Sequence, residues 1–401
     1  MMPMKKNVAL LAAGQAVMMS GAVLLFATGS LVGQRLAADP TWATLPLALQ
    51  MAASLAAIIP ASLLMARIGR RGGFLLGAGL AVSGAALAAY SIVADHFALF
   101  CLAAALIGSF TGIGNYFRFA AVDAASAEYR SRAIAYVLAG GVIAALIGPN
   151  LGHWGDHLLH GHAFAGGYVI LVGLYALVFA LLTRLDIPKP RPFQSAGRPL
   201  AVIFRQPAMV GAVLTGALGY GVMSLVMTAT PLAMHGHMHG YQDTAFVIEW
   251  HVLGMFAPSF FTGRLIQRFG VWNVMMVGAL LNAACVAINL TGTTIGHFWV
   301  ALFLLGVGWN FLFIGATQLL TTGYTTAEQA KVQAANDFAV FGVATLAVLS
   351  AGMLQHHFGW TVVNVGVIPG ILITLGTLLW LRRANVAALA PTRRSLPNDA
   401  I

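Results

Sequence analysis

Runs of about twenty apolar residues recur along the whole chain, each long enough to cross a bilayer. They lie near 8–33, 42–66, 73–95, 97–122, 132–152 and 164–184, then near 207–232, 244–266, 271–292, 297–321, 332–355 and 360–382. No water-soluble domain of 401 residues carries 59% hydrophobic and only 8% charged residues. The expectation is an all-α membrane protein with twelve transmembrane helices. The first run follows Met1 to Lys6 and is too long for a signal-peptide core, so it is kept as a helix.

The net charge of +10 suggests nucleic acid until its distribution is read. Lys5, Lys6, Arg67, Arg70, Arg71, Arg130 and Arg132 flank one set of connections. Arg184, Lys189, Arg191, Arg198, Arg205, Arg264, Arg268, Lys331, Arg382, Arg383, Arg393 and Arg394 continue the same set. These are the even-numbered connections and both ends of the chain, which the positive-inside rule assigns to the cytoplasm. Arg35 faces the other way, and Arg118 lies inside the fourth run. The basic excess therefore reports topology, and no nucleic-acid partner is expected; the partner is the lipid bilayer.

A polar, proline-rich stretch interrupts the apolar pattern after Arg184. It divides the chain into a first six-helix bundle (1–185), a cytoplasmic linker (186–206), a second bundle (207–383) and a cytoplasmic tail (384–401). The two halves echo each other. Arg67 and Gly69 match Arg268 and Gly270 at an offset of 201, and Ser126-Ala127-Glu128 matches Thr326-Ala327-Glu328 at 200. Such an offset at matching loops signals duplicated units. The segments Ser62 to Arg71 and Gly263 to Gly270 resemble the signature Gly-x-Leu-x-Asp-Arg-x-Gly-Arg-Arg of the major facilitator superfamily. Leu64, Arg67, Gly69, Arg70 and Arg71 are kept in the first copy, and Gly263, Leu265, Arg268 and Gly270 in the second. Ser62, Ala66 and Gln267 depart from it, which leaves the superfamily's usual charge relay without its acids. The resemblance implies the major facilitator fold, two pseudo-symmetric six-helix bundles that rock about a site near the midplane.

His251 is the one histidine of twelve that falls inside an apolar run; the other eleven are expected in connections on the face opposite the arginines. It forms His251-x-x-x-Met255, and the preceding run carries Met223-x-x-x-Met227. A spacing of four puts both members of each pair on one helix face. Thioether and imidazole donors suit Cu(I) and suit Mg²⁺ or Ca²⁺ badly. Methionine is also ordinary filler in apolar helices, whereas a histidine buried in a membrane marks a functional site by default. The two spacings together resemble those of the CcoA-type bacterial copper importers. That resemblance implies copper import across the bacterial inner membrane, in support of cbb3-type oxidase assembly, with Met223, Met227, His251 and Met255 as metal ligands. A periplasmic or cytoplasmic copper chaperone would then be a partner.

Met234, His235, His237, Met238 and His239 form an expected outer capture site. His153, Asp156, His157, His160 and His162 lie on the same face, with His96, His297, His356 and His357. Glu249, Arg118 and Asp337 are candidates for coupling or gating. Cys101 and Cys285 read as buried small apolar residues with no disulfide. No Walker motif, dinucleotide fingerprint or nucleophile triad is present, so neither enzymatic activity nor a resident cofactor is expected. The alternatives are a transporter of an organic solute such as riboflavin or a drug, with methionines and aromatics lining its cavity, and a copper sensor or assembly factor that moves nothing.

Overall fold

The computed structural model describes residues 2–126, 129–187, 197–325 and 328–389. Its elements are helical throughout: α1 (Met2–Leu36), α2 (Leu45–Val93), α3 (Phe97–Gly114), α4 (Phe117–Ala124), α5 (Arg130–Trp154) and α6 (Ala165–Leu182). A single turn, α7 (Leu200–Ile203), precedes α8 (Pro207–Gly236), α9 (Tyr241–Phe256), α10 (Ser259–Phe269), α11 (Val271–Thr291), α12 (Ile295–Thr321), α13 (Gln329–Gly366) and α14 (Ile368–Leu389).

Nine stretches among the described residues are long and apolar enough to cross a membrane. Two of them, Pro40–Val93 and Lys331–Arg383, hold 54 and 53 residues. At 1.5 Å per residue each is far longer than the ~30 Å hydrocarbon core, so each makes two crossings. A tenth crossing unit is the bent pair α9–α10, whose axes turn by 45°. Seven single crossings, two double ones and the bent pair together make the expected twelve.

The boundaries differ from the sequence reading in instructive ways. Helical geometry runs through the expected loop between the second and third runs and breaks only at Gly69, with φ 84 and ψ 162. Gly270 ends α10 with φ 83 and ψ 150. These backbone angles are essentially restricted to glycine, and they recur at the 201-residue offset, so the repeat seen in the sequence is a repeat of backbone geometry. In the eighth crossing the ring of Pro258 supplies no N–H, and the chain restarts as α10. Asn310 on α12 braces this break: its Nδ2 donates to Met255 O at 2.7 Å and to Ser259 Oγ at 2.7 Å, while its Oδ1 accepts from Thr262 Oγ1 at 2.7 Å.

The core is built from small residues and rings. One buried cluster draws on residues between Val8 and Leu185, including Phe74, Phe100, Phe110, Phe117, Tyr168 and Tyr175. A second draws mainly on α8, α9, α12 and α13 but also takes Val23, Ala27 and Ala145 from α1 and α5. α9 lies against α12 so closely that a Cβ on Gly306 would stand 2.3 Å from His251 O.

At the basic end, Arg70 pairs with Asp123, a partner the sequence reading did not identify. In the second half the corresponding function falls to Glu328, whose side chain is 2% exposed. Its Oε1 accepts from the Arg198 backbone N–H at 2.7 Å and from Nε at 2.8 Å. Its Oε2 accepts from Arg198 NH2 at 2.8 Å and from Thr325 N at 3.0 Å. These bonds, with the Arg198 side chain leading, hold the Glu328 carboxyl well below the usual carboxylate range. Its repeat mate Glu128 lies outside the described residues, as do Lys189, Arg191, Arg393 and Arg394.

Candidate functional site

Three of the four proposed metal donors, Met223, Met227 and Met255, belong to one apolar cluster, and the four are held by two different helices. Met223 and Met227 sit on α8, 2% and 5% exposed; His251 and Met255 sit on α9, 0% and 8% exposed. α9 packs mainly on α12 and α5, whereas α8 packs mainly on α13 and α12. The ring of His251 donates from Nδ1 to the Leu302 carbonyl at 2.7 Å, because a carbonyl can only accept. Its Nε2 is buried and has no partner among the described residues. His251 thus presents one buried imidazole nitrogen without a partner among the described residues.

The outer capture set is not gathered. Met234 is buried in the core, while Met238 is 92% exposed and adopts φ 65. The His237 ring bonds Ala233 O at 2.8 Å, and His239 Nε2 bonds Thr293 O at 2.7 Å. His235 is exposed in the last turn of α8. Among the described residues, no three His, Cys, Asp or Glu side chains stand close enough to hold a metal ion.

The expectation that eleven histidines lie in connections needs correction. His153 closes α5 and His235 closes α8, His297 is in the first turn of α12, and His356 and His357 lie within α13. Several serve as local polar caps: His96 Nδ1 accepts from Leu99 N at 3.4 Å, and His297 Nδ1 pairs with Thr294 Oγ1 at 2.8 Å. Helix ends leave unsatisfied backbone groups, and a polar ring near them is useful without any ion.

The gating candidates also separate. The Arg118 guanidinium lies over the Phe119 ring at 4.9 Å. Asp337 accepts from Asn336 Nδ2 at 3.2 Å. Arg118 and Asp337 form no ion pair with each other among the described residues. Glu249, in contrast, reaches across to the first half, where its Oε2 accepts from Asn150 Nδ2 at 3.0 Å.

The most developed constellation at mid-depth is aromatic. Tyr220 stands near the middle of α8 and meets Trp309 at 5.4 Å and Phe313 at 6.0 Å, both on α12, and Phe341 on α13 at 5.4 Å, in edge-to-face geometry. Trp309 stacks on Phe313 at 4.9 Å with 12° between the planes, and Phe256 approaches its other side at 6.3 Å. Phe26 of α1 packs against both clusters that Tyr220 joins. A Cβ on Gly141 of α5 would meet the Phe256 ring at 2.8 Å, so this group sits where the two halves meet. Phe26, Tyr220, Phe256, Phe313 and Phe341 are only half-buried. Trp309 Nε1 is a buried donor without a partner among the described residues. Half-buried rings around a tryptophan N–H suit a flat heteroaromatic solute: stacking supplies area, and a polar atom fixes orientation.

A family model for the Major Facilitator Superfamily matches residues 10–347. The chain belongs to this superfamily. Its all-helical build, with the same glycine backbone break between crossings in each half, fits the superfamily, and the protein is a multi-pass secondary transporter. Among curated relatives, it is 40% identical over 379 residues to the riboflavin transporter RfnT of Brucella anthropi, covering 94% of this chain and 95% of that one. It is also 29% identical to each of two uncharacterized transporters of the superfamily from Bacillus subtilis, YddS and YdeG. Each alignment covers 88% of this chain, and 85% and 86% of those relatives. The similarity to a transporter named for riboflavin fits the organic-solute alternative better than copper import, which these comparisons do not support.

Proposed function

We propose that this transporter carries a planar heteroaromatic organic solute of the riboflavin type across the bacterial cytoplasmic membrane by alternating access. The observation that carries this reading is the half-open aromatic group of Tyr220, Phe256, Trp309, Phe313 and Phe341 at the junction of the halves. The 40% identity to a riboflavin transporter over nearly the full length of both chains supports it. Met223, Met227 and Met255 then act as pliable lining for the ring system. His251 Nε2 accepts a hydrogen bond from a ring N–H or a side-chain hydroxyl of the solute. The arginine distribution supports cytoplasmic termini.

Copper import retains one favourable observation, the buried Nε2 of His251, which has no partner among the described residues. A copper chaperone would be a partner only under that reading. The discriminating experiment is uptake of radiolabelled riboflavin and, separately, of copper into cells that lack their own importers. Riboflavin accumulation above the empty-vector level, abolished by Trp309→Leu, supports the proposal. Copper accumulation without flavin uptake would replace it.

A further inference from the structure

The polar ties between the two halves are confined to one end of the molecule. Asn150 on α5 donates to Glu249 on α9 at 3.0 Å. The Tyr241 hydroxyl donates to Pro149 O at 2.5 Å, and its ring lies 4.8 Å from that of Phe164. Gln242 Nε2 reaches the His153 ring at 3.3 Å. A second group joins α2 to α13: Thr44 Oγ1 donates to Leu349 O at 3.3 Å and accepts from Gly352 N at 3.2 Å, and Thr41 meets His357 at 3.3 Å. Every one of these lies toward the end that bears the histidines. Among the described residues, no hydrogen bond joins residues 2–187 to residues 207–389 at the basic end.

This pattern describes a pathway shut on the histidine side. Most of the ties involve a hydroxyl, a backbone carbonyl or an imidazole ring, and such bonds contribute little net stability. Glu249 to Asn150 is different, because among the described residues it is the one hydrogen bond between the halves made by a carboxylate. Both side chains are half-buried, and a hydrogen bond to a carboxylate is roughly twice as strong as a neutral one. A carboxylate placed in a membrane helix is also costly enough to require a reason. Asn150 is already aligned for the contact, since the same Nδ2 donates to Leu146 O at 2.8 Å within α5.

The geometry points to the Glu249–Asn150 bond as the latch that keeps the pathway closed on the histidine side, with both residues positioning the halves for each transport cycle. The latch must break for that side to open and must re-form for the cycle to continue. Its strength therefore sets how often the solute site faces each side of the membrane.

The test reads accessibility and needs no solute, so its result is independent of the proposed substrate. Ala145 lies on α5 within the buried cluster between the halves and is 0% exposed. The native thiols Cys101 and Cys285 are buried and free. Replacing both by alanine and introducing Ala145→Cys supplies one reporter thiol. A water-soluble maleimide added from the histidine side should label it about tenfold faster in Asn150→Ala and in Glu249→Ala than in the parent. The double variant should match either single within about twofold, since all three lack the same bond. Exchanging the partners, Asn150→Glu with Glu249→Gln, should return labelling to the parental rate. If an alanine variant fails to reach the membrane, Asn150→Asp sets two carboxylates face to face and should speed labelling at least as much. Unchanged labelling in the single variants, or a double variant equal to the product of the singles, would overturn the latch.

Discussion

Replacing Trp309 by leucine removes the largest ring from the junction of the halves while keeping an apolar side chain of helix-forming type. In the structure Trp309 contacts three rings, with centroids at 4.9, 5.4 and 6.3 Å. Stacking a planar heteroaromatic base on one aromatic side chain contributes about 1–3 kcal/mol. Losing that contribution corresponds to a Kd about 5- to 150-fold weaker. The loss of three ring pairs also lowers stability, by ~0.5–1.5 kcal/mol each, so binding must be measured well below the melting temperature of each variant. Riboflavin fluorescence is the assay: a ligand stacked on tryptophan is quenched, and titration of purified protein gives Kd directly. Trp309→Phe preserves a ring over Phe313 and should lose less than about fivefold. A folded Leu variant that binds riboflavin within about twofold of the parent would refute the aromatic site.

Other perturbations probe other parts of the same account. Anaerobic titration with Cu(I) should show no stoichiometric binding, and Met227→Leu should leave riboflavin Kd within about threefold because both side chains fill similar volume; tight one-to-one copper binding abolished by His251→Leu would revive the copper reading. Glu328→Gln should expose the segment after the linker and raise chymotryptic cleavage near Phe204 severalfold. The carboxyl of Glu328 is depressed by Arg198, so its contribution is present above the unfolded carboxylate value near ~4.3 and disappears only as pH falls through the lower folded value. The thermal deficit of Glu328→Gln should accordingly be constant between about pH 7 and pH 5. Gly270→Ala should cost about 1–3 kcal/mol from backbone strain alone, since no atom lies within 4 Å of the added Cβ, whereas Gly306→Val should disrupt the α9–α12 contact and abolish expression of folded protein.

The helices were legible because apolar length is the dominant constraint in a bilayer, and the duplicated frame was legible because Gly69 and Gly270 must both be glycine. The aromatic site was not. Tyr220, Phe256, Trp309, Phe313 and Phe341 are spread over four helices, and in a helix apolar on every side no periodicity sets a cavity-facing ring apart from a lipid-facing one. The Met and His pairs stood out for the opposite reason: an i, i+4 spacing is visible in one dimension, while the partner helix that gives it meaning is not. Asn310, which braces the break at Pro258, and Asp123, the partner of Arg70, carry no local signature at all. Glu249 was visible as an anomaly, but its partner Asn150 lies 99 residues away.

The 201-residue offset also shows where the halves diverge. Val271 stands at the position equivalent to Arg70, so the second half has no counterpart of the tie to Asp123. Its basic end is fastened instead by Arg198, a residue belonging to the connecting strap and not to any crossing helix. The strap is also tied to the first lobe, where Asn7 Nδ2 donates to Asp186 O at 2.6 Å, so tension in it reaches the two lobes through unlike fastenings, an amide contact in one and an ion pair in the other. A duplicated frame with unlike fastenings need not yield equally at its two lobes when the strap is pulled, which gives an apparently symmetric machine a built-in sense of handedness.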